Sequence, residues 1–157
     1  QDLARSPANP DLEPLDLHPV IEEIVTLFRA SLPEDRSIEL VYLPADVPLV
    51  VKTHAGHLRQ ILQNLLTNAL DAVAAQGIIT VRTRCSEKTV VIDIEDNGPG
   101  IAPAIRDSLF QAGVSTKEGQ HSGLGLAITD KLAKQMGGSI TCVSQPGTTL
   151  FSLALPA

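Results

Sequence analysis

Aromatic side chains are nearly missing from this 157-residue chain, which has three Phe, one Tyr and no Trp. A surface that stacks nucleic-acid bases on rings has little to work with. Cationic residues are also in the minority, 12 Lys and Arg against 18 Asp and Glu, so the formal charge is −6 and a phosphate backbone would be repelled. Nucleic acid is therefore not an expected partner. Cysteine is limited to Cys85 and Cys142, with no CxxC and no His pair nearby, which excludes a zinc ribbon or a disulfide framework. Both lie in strand-like runs and read as reduced core or sheet thiols in a reducing compartment. No apolar run approaches the ~18 residues that span a bilayer, and the first residues lack the basic-then-apolar order of a signal peptide. The expectation is a soluble, cytoplasmic piece with no membrane contact of its own, whether or not a full-length protein is membrane-anchored.

What is present suits one globular domain, with 43% hydrophobic and 19% charged residues. The acidity is uneven. Residues 1–50 carry ten acids and three Arg, whereas residues 51–157 carry eight acids and nine bases. Net charge therefore speaks to solubility and steering, not to any one site.

Residues 1–19 hold Pro7, Pro10, Pro14 and Pro19 and read as an extended entry segment, with Leu12, Leu15 and Leu17 able to pair it weakly onto an edge. Helical spacing predicts a short amphipathic helix over residues 20–30, with Glu22 and Glu23 in its first turn. Residues 37–43 (S-I-E-L-V-Y-L) predict a strand. A long helix over residues 56–76 follows from the stripe Leu58, Ile61, Leu62, Leu65, Leu66, Ala69, Leu70 and Val73, with Gly77 as its stop. Residues 78–85 and 89–95 predict a hairpin through Ser86-Glu87-Lys88.

Nine of the eleven glycines then fall between Gly98 and Gly147, and residues 97–122 show no period. A loop of that length in a compact domain is usually functional or mobile. Residues 124–136 resume helical spacing before Gly137-Gly138, and residues 139–144 and 149–155 predict strands about Gln145-Pro146-Gly147. The expected fold is a two-layer α/β (α+β) sandwich: one mixed sheet with helices packed on one face.

Three stretches could carry chemistry. On the long helix, Asn64, Asn68 and Asp71 are spaced by four and three and share one edge. That edge could be an ordinary solvated one, or it could offer oxygens to Mg²⁺, which binds few protein groups and keeps waters or phosphates. Asp96-Asn97-Gly98-Pro99-Gly100-Ile101 follows a strand. It suits a plain turn, or a carboxylate that accepts from adenine N6 beside glycines that admit a flat base. Ser122-Gly123-Leu124-Gly125-Leu126 leads into a helix, whose N-terminal N–H groups can hold phosphates, with Lys117 in the preceding loop.

In this order the stretches resemble the ATP-binding catalytic domain of sensor histidine kinases, of the GHKL ATPase superfamily shared with Hsp90, type II topoisomerases and MutL proteins. L-R-Q-I-L-Q-N-L-L-T-N-A-L-D-A resembles the N box, D-N-G-P-G-I the G1 box and L-F-Q-A-G-V-S-T-K the F box. H-S-G-L-G-L-A-I resembles the G2 box and P-G-T-T-L-F the last glycine box, so the likeness runs over residues 13–157, with residues 1–12 as an entry segment or linker from a dimerisation hairpin.

The resemblance implies a Bergerat-type fold that binds ATP and Mg²⁺. It implies Asn68 on the metal, Asn64 and Asp71 on the phosphate side, and Asp96 on the adenine amine with Thr149 in support through water. Gly98, Gly100 and Ile101 would wall the base pocket, and Lys117, Ser122, Gly123, Leu124, Gly125 and Leu126 would line the phosphates. Residues 102–121 would form an ATP lid anchored by Phe110. Two departures stand out: His121 replaces the first glycine of the G2 box, and Lys52-Thr53-His54 stands where relatives often have an Asp, with His54 expected at the surface.

Hydrolysing members and serine kinases of the superfamily have a Glu as general base four residues before the magnesium Asn. Here that residue is Asn64, an amide without useful proton affinity. A histidine nucleophile needs less activation, because neutral imidazole already has a lone pair. Asn64, Asn68 and Lys117 would thus serve a protein-histidine kinase. None of the four histidines is followed by the Glu or Asp of a phosphoacceptor. The expected partners are ATP, a phosphoacceptor helical hairpin of the same full-length kinase and a downstream response regulator. A non-catalytic nucleotide-binding regulatory domain and a GHKL ATPase are the alternatives.

Overall fold

The computed structural model describes residues 12–106, 108–110 and 124–157. Five strands form the main sheet in the order β2-β4-β5-β7-β6, where β2 is Ser37–Leu43, β4 Gln76–Cys85, β5 Thr89–Asp96, β6 Ser139–Gln145 and β7 Thr148–Pro156. β2 runs parallel to β4 and every other neighbour is antiparallel, so the sheet is mixed as expected. The parallel pair needs a long crossover, and the chain makes it through β3 (Val50–Thr53) and α2 (Ala55–Ala72).

α1 (Leu17–Ala30), α2 and α4 (Leu124–Gln135) cover one face of the sheet. Their apolar stripes meet Ile79, Ile92, Ile94 and Leu153 in one continuous core. Alternation along the strands does the sorting: Ile92 and Ile94 point into the core, and Asp93 between them points to the other face. There Asp93 is buried beneath arginines, with Arg84 Nε at 2.8 Å and Ser152 Oγ at 2.6 Å. Burial pushes the Asp93 carboxyl up, but the hydrogen bonds from Arg84 and Ser152 and the charges of Arg84 and Arg82 outweigh it and hold the group below its ordinary value.

Several boundaries differ from the sequence expectation. β1 (Glu13–Asp16) and β3 pair antiparallel as a separate small sheet, so the entry segment is anchored there. β3 has no signal of its own, being four residues between Pro48 and a helix. α1 starts at Leu17, not at residue 20, because the Asp16 side chain caps it by accepting from His18 N at 3.1 Å. Pro19 is tolerated in that first turn, where its missing N–H has no intrahelical partner to lose. Glu22 and Glu23 consequently lie beyond the first turn.

α2 ends at Ala72 with Val73 extended, and Gly77 is not its stop. Gly77 lies inside β4, where a Cβ would stand 2.5 Å from the Val73 Cβ, so the glycine admits the helix end against the strand. A one-turn helix, α3 (Pro103–Arg106), interrupts the stretch that has no sequence period. His54 is not a bare surface residue: it caps α2, Nδ1 accepting from His57 N at 3.1 Å. The two rings lie 4.2 Å apart, and burial, then the charge of His54, holds His57 below its ordinary value. Cys85 and Cys142 lie on strands of the sheet, Cys85 exposed and Cys142 half-buried.

Candidate functional site

The C-terminal end of α2, the turn after β5 and the β6–β7 hairpin pack together around Gly98 and Gly100. α2 has the apolar stripe foreseen for it, with Leu58, Ile61, Leu62, Leu65 and Leu66 buried. One flank of that stripe is left to Asn64, Asn68 and Asp71, all half-buried. Asn64 also bridges helices, its Nδ2 donating to Thr129 Oγ1 of α4 at 3.1 Å. Thr129 is fully buried, so the bond fixes the Asn64 amide and leaves its oxygen as the second functional atom.

Asp96 is the last residue of β5 and only 4% exposed. Its Oδ1 accepts from Gly98 N at 2.8 Å, closing a tight turn. Thr149, also buried, stands directly opposite Asp96 in the β5–β7 ladder, which places both proposed adenine contacts side by side. The glycines are demanded by packing. A Cβ at Gly98 would come 2.7 Å from the Ala72 carbonyl oxygen of α2. Gly100 has φ +90, and a Cβ there would run into the Gln145 carbonyl oxygen.

Ile101 N donates to Ser144 Oγ at 2.7 Å, and Ser144 Oγ lies 3.2 Å from Thr149 Oγ1. One hydroxyl thus ties the 96–101 turn to the hairpin that carries Thr149. Ser144 was not singled out from the sequence, since a serine near a strand end is an unremarkable signal. Arg36 was missed for the same reason. Its guanidinium crosses from the turn before β2 to the C-terminus of α2, where Nη2 donates to Leu70, Val73 and Ala74 carbonyls at 2.9, 2.8 and 3.0 Å.

Leu124 and Gly125 open α4, and Leu126 is half-buried against the core. Lys117, Ser122 and Gly123 lie outside the described residues, as do His121 and most of the 102–121 lid. At the near end of that segment Leu109 is buried, and Phe110 meets Phe151 edge-on with centroids 6.3 Å apart.

The donor set fits a magnesium nucleotide. The Asn68 amide oxygen suits a hard cation that takes its remaining ligands from phosphates and water. Among the described residues no group of three His, Cys, Asp or Glu could form an all-protein metal cage.

Comparison with known proteins agrees with this geometry. The model of the histidine kinase-, DNA gyrase B- and HSP90-like ATPases matches residues 53–157. The sensory histidine kinase/phosphatase NtrB of Escherichia coli O157:H7 is 38% identical over 151 residues, covering 89% of this chain and 42% of NtrB. This chain thus spans less than half the length of that relative. The catalytic domain of the histidine kinase ThkA superposes with a TM-score of 0.84 at 23% identity, over 94% of this chain and 98% of that domain. Full-length ShkA in complex with AMPPNP superposes with a TM-score of 0.79 at 29% identity, over 92% of this chain and 31% of ShkA. The fold matches the histidine kinase catalytic domain, as the motifs implied. With the family model covering most of its length and an Asn, Gly and Asp constellation built around one turn, the chain belongs to the histidine kinase-, DNA gyrase B- and HSP90-like ATPase family, whose shared property is ATP binding.

Proposed function

We propose that residues 13–157 are the catalytic domain of a two-component sensor histidine kinase, presenting Mg-ATP to a histidine on a separate helical hairpin, with residues 1–12 leading from that hairpin. The observation that carries the proposal is Asn64. It stands one helical turn before Asn68 with its N–H groups committed toward Thr129, where a hydrolase of the superfamily would keep a basic carboxylate. An amide at that position cannot take a proton from water, and an imidazole acceptor does not need it to.

The histidines support an acceptor elsewhere. His18 Nε2 is 2.8 Å from the Val47 carbonyl oxygen, His54 caps α2, and His57 has its Nδ1 buried. The rings of His18 and His54 thus have structural partners, and none of the four histidines has an adjacent Glu or Asp. The sensory histidine kinase name of NtrB supports the same reading.

In this reading the Asp96 carboxylate accepts from the adenine amine, Thr149 supports it through water, and Gly98, Gly100 and Ile101 wall the base. Asn68 holds Mg²⁺, which when bound neutralises phosphate charge. Asn64 and Asp71 line the phosphate side, and Lys117 with the backbone of residues 122–126 holds the phosphates. Catalysis is then positioning and electrostatic stabilisation, with the nucleophile arriving from the partner hairpin. A response regulator would take the phosphoryl group onward. No described helix is long and apolar enough to cross a membrane, which is compatible with work in the cytoplasm.

The test is transfer in trans. The domain, the acceptor hairpin of its full-length protein and labelled ATP should yield acid-labile phosphohistidine on the hairpin, and Asn68→Ala should abolish it. Steady ATP turnover by the domain alone would instead make it a hydrolase. Binding without either activity would make it a regulatory nucleotide-binding domain.

A further inference from the structure

α2 carries the proposed metal residues but lacks its own C-terminal cap. It has no basic residue in its last turn, and Val73 at the C-cap is extended with no glycine following. The last carbonyls of a helix need outside donors and attract positive charge. Arg36 supplies both from the turn before β2. Its Nη2 reaches the Leu70, Val73 and Ala74 carbonyls, its Nε reaches Ala74 at 3.3 Å, and the next residue, Ser37, donates N–H to the Ala75 carbonyl at 2.7 Å.

The clamped segment is the one against which the base pocket is built. The Ala72 carbonyl lies where a Gly98 side chain would be, Val73 lies where a Gly77 side chain would be, and Gly98 N holds the Asp96 carboxylate. Asn97 Oδ1 adds a bond from Ile78 N at 2.9 Å, tying the same turn to β4. A displacement of the α2 end moves the support under the Gly98 backbone, and with it the direction of the Asp96 oxygens.

We propose that Arg36 is a positioning residue for the adenine subsite, setting the affinity and base selectivity of the nucleotide site without touching the nucleotide. It lies outside residues 53–157, the span of the family model. The inference rests on the reading of Asp96 as the acceptor of the adenine amine.

The experiment compares ATP with ITP, which lacks the exocyclic amine, by calorimetry on this chain in Mg²⁺ buffer. Arg36→Ala should lower the ATP-to-ITP affinity ratio about tenfold, the scale of losing hydrogen bonds to a charged group, while ITP affinity changes little. Arg36→Lys keeps the charge without the planar fork and should give an intermediate ratio, which also serves if the Ala variant does not fold. A general loss of structure would weaken both nucleotides equally. A wild-type ratio in a folded Arg36 variant, or equal losses for ATP and ITP, overturns the inference. Asp96→Asn in the same assay separates the two readings: if it leaves the ratio unchanged, the adenine site itself is misplaced, whereas a collapse there with no effect at Arg36 refutes only the role of Arg36.

Discussion

Asp96→Asn exchanges a carboxylate oxygen for an NH₂ without changing the shape of the side chain, so it isolates hydrogen-bond polarity. Asp96 is 4% exposed and one oxygen is committed to Gly98 N at 2.8 Å. In the variant the amide oxygen can keep that bond, because an Asn oxygen accepts as a carboxylate does. With Asp96 accepting from the adenine amine as proposed, the NH₂ takes the place of the accepting oxygen and meets that amine donor to donor. The loss is that of a hydrogen bond to a charged group, about 1.5–3 kcal/mol, or roughly 10- to 150-fold in Kd. Inosine presents an acceptor at the same position, so ITP should lose much less and can come to bind more tightly than ATP. The Gly98 bond survives the exchange, and fold stability serves as the control. Calorimetric titration with both nucleotides, alongside urea unfolding, reads all three quantities. Unchanged ATP affinity, or equal weakening of ATP and ITP, would refute the assignment of Asp96 to the base.

Two further outcomes follow from the packing. Gly100→Ala forces a Cβ into the Gln145 carbonyl at φ +90 and should cost at least about 1–2 kcal/mol of stability from backbone conformation alone, read as a lower urea midpoint; an unchanged midpoint would mean that the turn is not held against the hairpin. Asp93 has a folded-state value below its unfolded one, near 3.9, so its contribution is complete above about pH 4 and is lost as pH falls through the folded value. Asp93→Asn should therefore be less stable than wild type at pH 7, with the gap closing toward pH 2 in urea titrations; a constant gap would rule out linkage through this carboxylate.

Much of the candidate site's local geometry was legible because neighbours in sequence set it. The spacing of Asn64, Asn68 and Asp71 places them on one edge of any helix, and D-N-G-P-G-I can hardly be anything but a turn after a strand. The β4–β5 and β6–β7 hairpins were equally readable, since each is closed by a few residues of turn composition. At Pro146-Gly147 the ring presets one φ and the glycine supplies φ +88. What escaped were features whose partners lie far along the chain. β1 and β3 are four residues each and exist because they pair across 34 to 40 positions. The Arg36 side chain meets the end of α2 and the Ser144 hydroxyl holds the 96–101 turn, and neither residue has a distinctive neighbourhood in the sequence.

The sequence by itself determined the family, the helix edge that carries the Asn and Asp side chains, and the turn that carries Asp96, because periodicity and turn chemistry act over a few residues. Only the tertiary structure decided that Gly98 packs on the Ala72 carbonyl, that Thr149 stands opposite Asp96, and that one arginine before β2 holds the helix end behind both. Those are contacts between segments tens of residues apart. They are selected by how the helices settle on the sheet, and no local pattern of residues encodes the distance between two packed backbones.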